Sequence, residues 1–210
     1  MTQRFTNLKA AGSQWLAALG VLCRLVARSF VFLLVVVALL GSRALVSGQD
    51  AVALDYQVKA AFLVNFPKYV DWPTTAFSGT NTSITVAVFG DDNVANEFQN
   101  MIQSGLVIDG HPVILKRIKS DVEITGSCQI LFVANSERSR VSAILEKLKG
   151  SPVLLVGDSD NFLEQGGMIN MVPKNRKVRL QINLGAAREA SLKISSRLLV
   201  AADVVKGKEN

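Results

Sequence analysis

Two carboxylate pairs occupy comparable places in this 210-residue chain: Asp91 and Asp92 follow an apolar run over 84–89, and Asp158 and Asp160 follow another over 153–156. If both runs are strands of one parallel sheet, the four side chains gather at its carboxyl edge, where open α/β sheets bind ligands. Four hard oxygen donors would suit Mg²⁺. The segments Gly90-Asp91-Asp92-Asn93 and Gly157-Asp158-Ser159-Asp160 are equally the sequences of helix caps, which favour acidic side chains at a helix N-terminus. The cap is the preferred reading, and a Mg-dependent enzyme is the minor alternative.

Other chemistry finds less support. The one histidine, His111, sits in the turn Asp109-Gly110-His111-Pro112, so a nucleophile triad lacks a well-placed base. A zinc site needs three or four clustered ligands, which one histidine and Cys128 do not supply. Gly166-Gly167 lacks the spacing of a phosphate loop and leads into a strand instead of a helix. Cys128 precedes the apolar run Gln129-Ile130-Leu131-Phe132-Val133 and reads as a buried thiol. An odd thiol in an oxidising compartment can also join two copies as a homodimer. No catalytic residue, cofactor or metal is expected.

The elements that would position these groups follow from periodicity. Leu54, Val58, Ala61, Phe62, Phe66 and Tyr69 recur at helical spacing from about Ala51, and Pro67 should kink or end that helix. Strands are predicted over 84–89, 113–118, 128–133 and 153–156, with helices over 93–102 and after Asn135-Ser136, which could cap the second. Strands separated by helices of about a dozen residues mark a parallel sheet with helices on its faces. Residues 168–172 and 178–184 read as an antiparallel hairpin, and 186–205 as one closing helix striped with Ala190, Ile194, Leu198 and Ala201. The fold class is thus α/β: a Rossmann-like, mostly parallel sheet flanked by helices, with a C-terminal antiparallel hairpin and a closing helix.

The first 48 residues have a different character. Arg4, Lys9, Arg24, Arg28 and Arg43 lie there without an acidic residue, around the apolar run over 30–40 and before the small residues of Val46-Ser47-Gly48. That is the pattern of a secretory signal, cleaved near Gln49. A retained anchor is the alternative, since a second apolar patch spans 15–26, but Arg24, Arg28 and Arg43 break up the roughly 20 residues a span needs. The domains are then 1–48, the leader, and 49–210, a periplasmic α/β domain. Of 23 basic residues the leader takes five, and of 17 acidic ones none, so the mature charge falls from +6 to about +1. A nucleic-acid partner needs a basic excess that is no longer there.

The blocks Tyr56-Gln-Val-Lys59-Ala-Ala-Phe-Leu-Val-Asn65-Phe66, Val70-Asp-Trp72-Pro73, Cys128-Gln-Ile-Leu-Phe, Gly166-Gly167-Met168-Ile169-Asn170 and Val178-Arg-Leu-Gln-Ile182-Asn183, in that order, resemble the YfiR family of periplasmic proteins. The resemblance runs from Tyr56 to about Ala202. It implies a Rossmann-like fold and a repressor that contacts the periplasmic domain of an inner-membrane diguanylate cyclase, YfiN. It also implies a peptidoglycan-associated outer-membrane lipoprotein of the YfiB kind that sequesters the repressor, and an output in cyclic di-GMP and biofilm. Well-studied members carry a pair of disulfides; here 87–89 and 163–170 hold no cysteine, so that redox control does not transfer. A small-ligand sensor domain for another membrane protein is the alternative function.

A contact surface is expected on the hairpin. Arg179, Gln181 and Asn183 share one strand face by alternation, and Ile169 and Asn170 come from the neighbouring strand. An exposed aliphatic residue beside an arginine has the composition of a protein interface. The first helix around Lys59 and Lys68 is the next candidate.

Overall fold

A computed structural model describes residues 47–77, 83–174 and 177–205. The leader up to residue 46, with its apolar run, and the connection over 78–82 lie outside the described residues. The chain divides into two compact units, Met1–Asp50 and Ala51–Asn210; the second carries the fold described below. Among the described residues, no helix is long and apolar enough to cross a membrane.

The first helix, α1 (Ser47–Asn65), runs into a 3₁₀ turn at Phe66–Lys68, where Pro67 ends the α-helical ladder as expected. A short strand β1 (Val70–Asp71) follows. The βα alternation is β2 (Ile84–Phe89), α2 (Asp92–Ile102), β3 (Val107–Ile108), β4 (His111–Ile118), β5 (Ile130–Val133), α3 (Val141–Leu148) and β6 (Leu154–Gly157). The last third holds β7 (Ile169–Lys174), β8 (Lys177–Asn183), α4 (Leu184–Glu189), β9 (Lys193–Ile194), α5 (Ser196–Val200) and β10 (Asp203–Val205).

The main sheet has the order β10-β8-β7-β6-β5-β2-β4-β3. Strands β4, β2, β5, β6 and β7 are mutually parallel, while β3 and β8 run against their neighbours and β10 runs parallel to β8. The fully buried apolar runs of β2, β5 and β6 are what a sheet covered on both faces requires. Phe66, Phe98, Phe132 and Phe162 are the largest side chains of the core. This is the α/β class read from the sequence, with the hairpin β7–β8 where it was expected.

Three expectations are corrected. Residues 186–205 form no single helix: Ser191 takes a positive φ of 60°, Ser195 caps α5, and the intervening Lys193–Ile194 is drawn into an antiparallel pair with β1. Tertiary pairing overrides a segment that is otherwise rich in alanine, leucine, arginine and other good helix formers, broken where Ser191 turns and Ser195-Ser196 restarts the chain. On α1 the buried residues are Ala60 and Leu63, with Phe66 beyond its end, whereas Leu54 is exposed and Val58, Ala61 and Phe62 are half-buried. That helix is apolar on more than one side, so periodicity alone did not select its inner face. Finally, Asn135 and Ser136 do not cap a helix: the cap is Ala134, without a side-chain bond, and a 3₁₀ segment Asn135–Arg140 precedes α3.

Candidate functional site

Strand β4 lies on one side of β2 and β5 on the other, so the chain leaves the carboxyl ends of β2 and β5 in opposite directions. Such a topological switch point opens a crevice at the edge of the sheet. A cleft of about 420 Å³ lies there, walled by Gly90 and Asp91 after β2, Ala134 to Ser136 after β5, Asp158 after β6 and Asp55, Tyr56 and Lys59 of α1.

Lys59 dominates its electrostatics. Its ammonium lies 2.6 Å from Asp55, one turn earlier on α1, and 2.8 Å from Asp158. The side chains of Lys59 and Asp158 are only 12% and 8% exposed. Burial works against the lysine's charge, but hydrogen bonds and charge attraction from Asp158 and Asp55 outweigh it, and its pKa stands above 10.5. The other oxygen of Asp158 accepts the backbone N–H of Asn135 at 2.7 Å. Ser136 donates its hydroxyl to the carbonyl of Gly90 at 2.9 Å, which ties the two diverging loops together.

The four aspartates do not form one cation site. Asp91 caps α2, accepting from the N–H groups of Asn93 at 2.9 Å and Val94 at 3.2 Å. Asp92 projects into solvent 3.6 Å from Arg117, Asp158 is engaged by Lys59, and Asp160 is exposed. Among the described residues no group of three or more His, Cys, Asp or Glu side chains is placed to hold a metal. The cap reading thus stands for Asp91 and fails for Gly157-Asp158-Ser159-Asp160, which leads into turns and not into a helix. His111 lies at the start of β4, at the sheet's opposite edge, stacked on Phe77 with ring centroids 4.6 Å apart. Cys128 is buried, and burial pushes its thiol up to about 11.

The expected hairpin surface divides. The register pairs Ile169 with Ile182 and Asn170 with Gln181, so Ile169 and Asn170 point to opposite faces. Ile169 is fully buried, which overturns its expected exposure. Asn170 and Asn183 are buried as well: Asn170 donates to the Ser159 carbonyl at 2.9 Å, while Asn183 reaches the Leu163 carbonyl at 3.5 Å and caps α4 through the Ala186 N–H at 3.1 Å. Both pin the loop between β6 and β7. Arg179 remains exposed and Gln181 half-exposed. Lys59 is committed to the cleft; Lys68 is exposed and donates to Asn65.

Residues of the sequence blocks also have structural duties. Trp72 donates its indole N–H to the carbonyl of Gln129 at 3.2 Å, and the buried Gln129 side chain bridges the Thr85 N–H and the Ala76 carbonyl, each at 2.7 Å. The Asp55–Lys59 pair was available as an i,i+4 spacing. Its link to Asp158 had no local signal.

The fold defines an open Rossmann-like α/β domain with a switch-point cleft and a C-terminal hairpin exposed only toward its turn. The YfiR/HmsC-like family model matches residues 56–203, and the chain belongs to that family. No curated protein matches it. Among solved structures, a conserved domain protein from Vibrio cholerae O1 biovar El Tor is 11% identical with a TM-score of 0.44, over 58% of this chain and 54% of that one. The ABC domain from Streptococcus pneumonia in complex with L-Trp is 14% identical with a TM-score of 0.49, over 70% of this chain and 60% of that one. The chain thus spans little more than half the length of these two proteins.

Proposed function

We propose that this protein is an exported periplasmic regulator that represses an inner-membrane diguanylate cyclase by direct contact, lowering cyclic di-GMP and biofilm formation. The observation that carries the reading is the family match over 56–203, since the YfiR/HmsC-like family is regulatory and not catalytic. The basic and apolar leader supports export. A lipoprotein of the YfiB kind is the proposed sequestering partner. Deleting the gene should raise cellular cyclic di-GMP, and restoring an exported copy should lower it. Unchanged cyclic di-GMP in the deletion would refute the reading.

One observation favours a second reading. The switch-point cleft is the usual ligand position in open α/β sheets, so a small-ligand sensor for another membrane protein remains the alternative. Thermal shift of the mature protein against a panel of small periplasmic metabolites, with Lys59→Met as control, separates it from the first.

A further inference from the structure

Helix α1 serves two cavities. Lys59 turns to the switch-point cleft, whereas Val58, Ala61, Phe62 and Asn65, spaced by three and four residues and continued past the helix by Phe66 and Tyr69, line a groove of about 480 Å³. The remaining lining comes from Leu180 on β8 and from Leu198 and Ala201 in and after α5. No residue lines both cavities. Val58, Ala61 and Phe62 are only half-buried, so the protein itself covers this apolar stripe incompletely. From Val58 to Phe66 the stripe runs roughly 12 Å at the helical rise, and the volume is that of a small-ligand site.

The charge in this groove is unbalanced. The switch-point cleft sets Lys59 against Asp55 and Asp158, and a cavity of about 290 Å³ beside α3 and α4 carries both Lys149 and Glu189. The groove along α1 has no acidic lining residue, and its one charged group is the Arg197 guanidinium. Among the described residues that guanidinium has no hydrogen-bond or ion-pair partner, and neither has the Tyr69 hydroxyl. The two stand at the same end, since Ser195 donates its backbone N–H to the Tyr69 carbonyl at 2.8 Å and caps α5 two residues before Arg197. Lys68, which donates to the lining residue Asn65 at 3.0 Å, adds a second cation there. The groove is thus apolar along α1 and cationic beside the β1–β9 ribbon.

We propose that this groove binds an amphiphile of the fatty-acid class, with a single alkyl chain and a carboxylate head. The carboxylate meets Arg197, whose guanidinium can offer two parallel N–H···O bonds, and accepts the Tyr69 hydroxyl. The chain lies along Val58, Ala61 and Phe62, and an extended decyl chain is of comparable length to that stripe. A partner helix is about 10 Å across, too thick for a cavity of this length and volume to hold. The proposal goes beyond the regulatory reading and does not depend on it.

Isothermal titration calorimetry tests it on the full chain, expressed for export and purified, with decanoate, decan-1-ol and decyltrimethylammonium as probes. Decanoate should saturate a single site and bind about tenfold more tightly than the alcohol, with the ammonium weakest. Arg197→Gln, at an exposed position, should remove most of that preference and leave the alcohol's affinity unchanged. Ala61→Phe and Ala201→Phe fill the groove from α1 and from the end of α5, and each should abolish binding of all three probes with circular dichroism unchanged. Ala201 is exposed, so its variant keeps the test decisive where Ala61→Phe disturbs the helix. Absence of a saturable decanoate site, equal affinity for decanoate and decyltrimethylammonium, or binding that survives Ala201→Phe would overturn the proposal. So would tighter binding to phosphatidylglycerol vesicles than to decanoate, which assigns the groove to a lipid surface, or a dimer that Ala201→Phe dissolves in sedimentation, which assigns it to a second copy.

Discussion

Lys59 on α1 and Asp158 at the end of β6 are separated by 99 positions in the chain and joined by a 2.8 Å ion pair inside the switch-point cleft. The pair ties the first helix to the carboxyl edge of the sheet. Lys59→Met leaves the Asp158 carboxylate buried with only the Asn135 N–H to offset it, at a cost of about 3 kcal/mol. Denaturant midpoints check this, and Lys59→Met with Asp158→Leu should recover much of the loss. Since the lysine's folded pKa is raised, its contribution is complete below 10.5 and disappears as pH climbs through the higher folded value. A single mutant as stable as wild type would show that the pair does not hold the helix.

Phe162 is wedged between Gly157 and Gly167. A Cβ on Gly157 would come 2.5 Å from its ring, and one on Gly167 would overlap the ring and lie 2.8 Å from the backbone oxygen of Phe162. Gly167→Ala is therefore expected to lower stability by about 2 kcal/mol, as overpacked cores do. Gly105→Ala makes no close contact but sits at a φ of 77°, so it separates backbone strain from crowding. A thermal melt in which Gly167→Ala loses less than Gly105→Ala contradicts the packing argument.

The Cys128 thiol should be inert. Burial raises its pKa from 9.0 to about 11, so at pH 8 the native protein should react with a disulfide reagent far more slowly than the urea-unfolded chain. Above pH 9 the unfolded thiol ionises first, and stability declines between pH 9 and about 11. Cys128→Ala should cost about 1 kcal/mol. Rapid native labelling, or a covalent dimer lost in this variant, would show an accessible sulfur.

For the leader, mass spectrometry of the periplasmic fraction should find an N-terminus near Gln49. A full-length inner-membrane species would instead establish a retained anchor, and a full-length cytoplasmic one would remove the basis for a periplasmic regulator.

The parallel centre of the sheet was legible because continuous apolar runs such as 84–89 and 130–133 have few other uses in a chain this size. Short strands were not. Val107–Ile108 joins β4 through Asp109 and Gly110, both at positive φ, a hairpin turn visible in the Asp-Gly pair but attached to only two strand residues. Strands β1, β9 and β10 exist because a distant segment pairs with them, and no window of local sequence contains that segment. The same limit governed the site. Alternation correctly grouped Arg179 with Gln181, but the burial of Asn170 and Asn183 depends on the loop over 158–168 folding back upon them.

The two-residue ribbon β1–β9 bears on the order in which the fold closes. Val70 pairs with Ile194 and Asp71 with Lys193, and Ser195 donates its backbone N–H to the Tyr69 carbonyl at 2.8 Å. The exit of α1 is thus fastened by residues that follow the whole parallel centre of the sheet in sequence, and contacts that close so large a loop form late. The ribbon acts as a clasp: the sheet assembles first, and the end of the first helix is fixed to it afterwards.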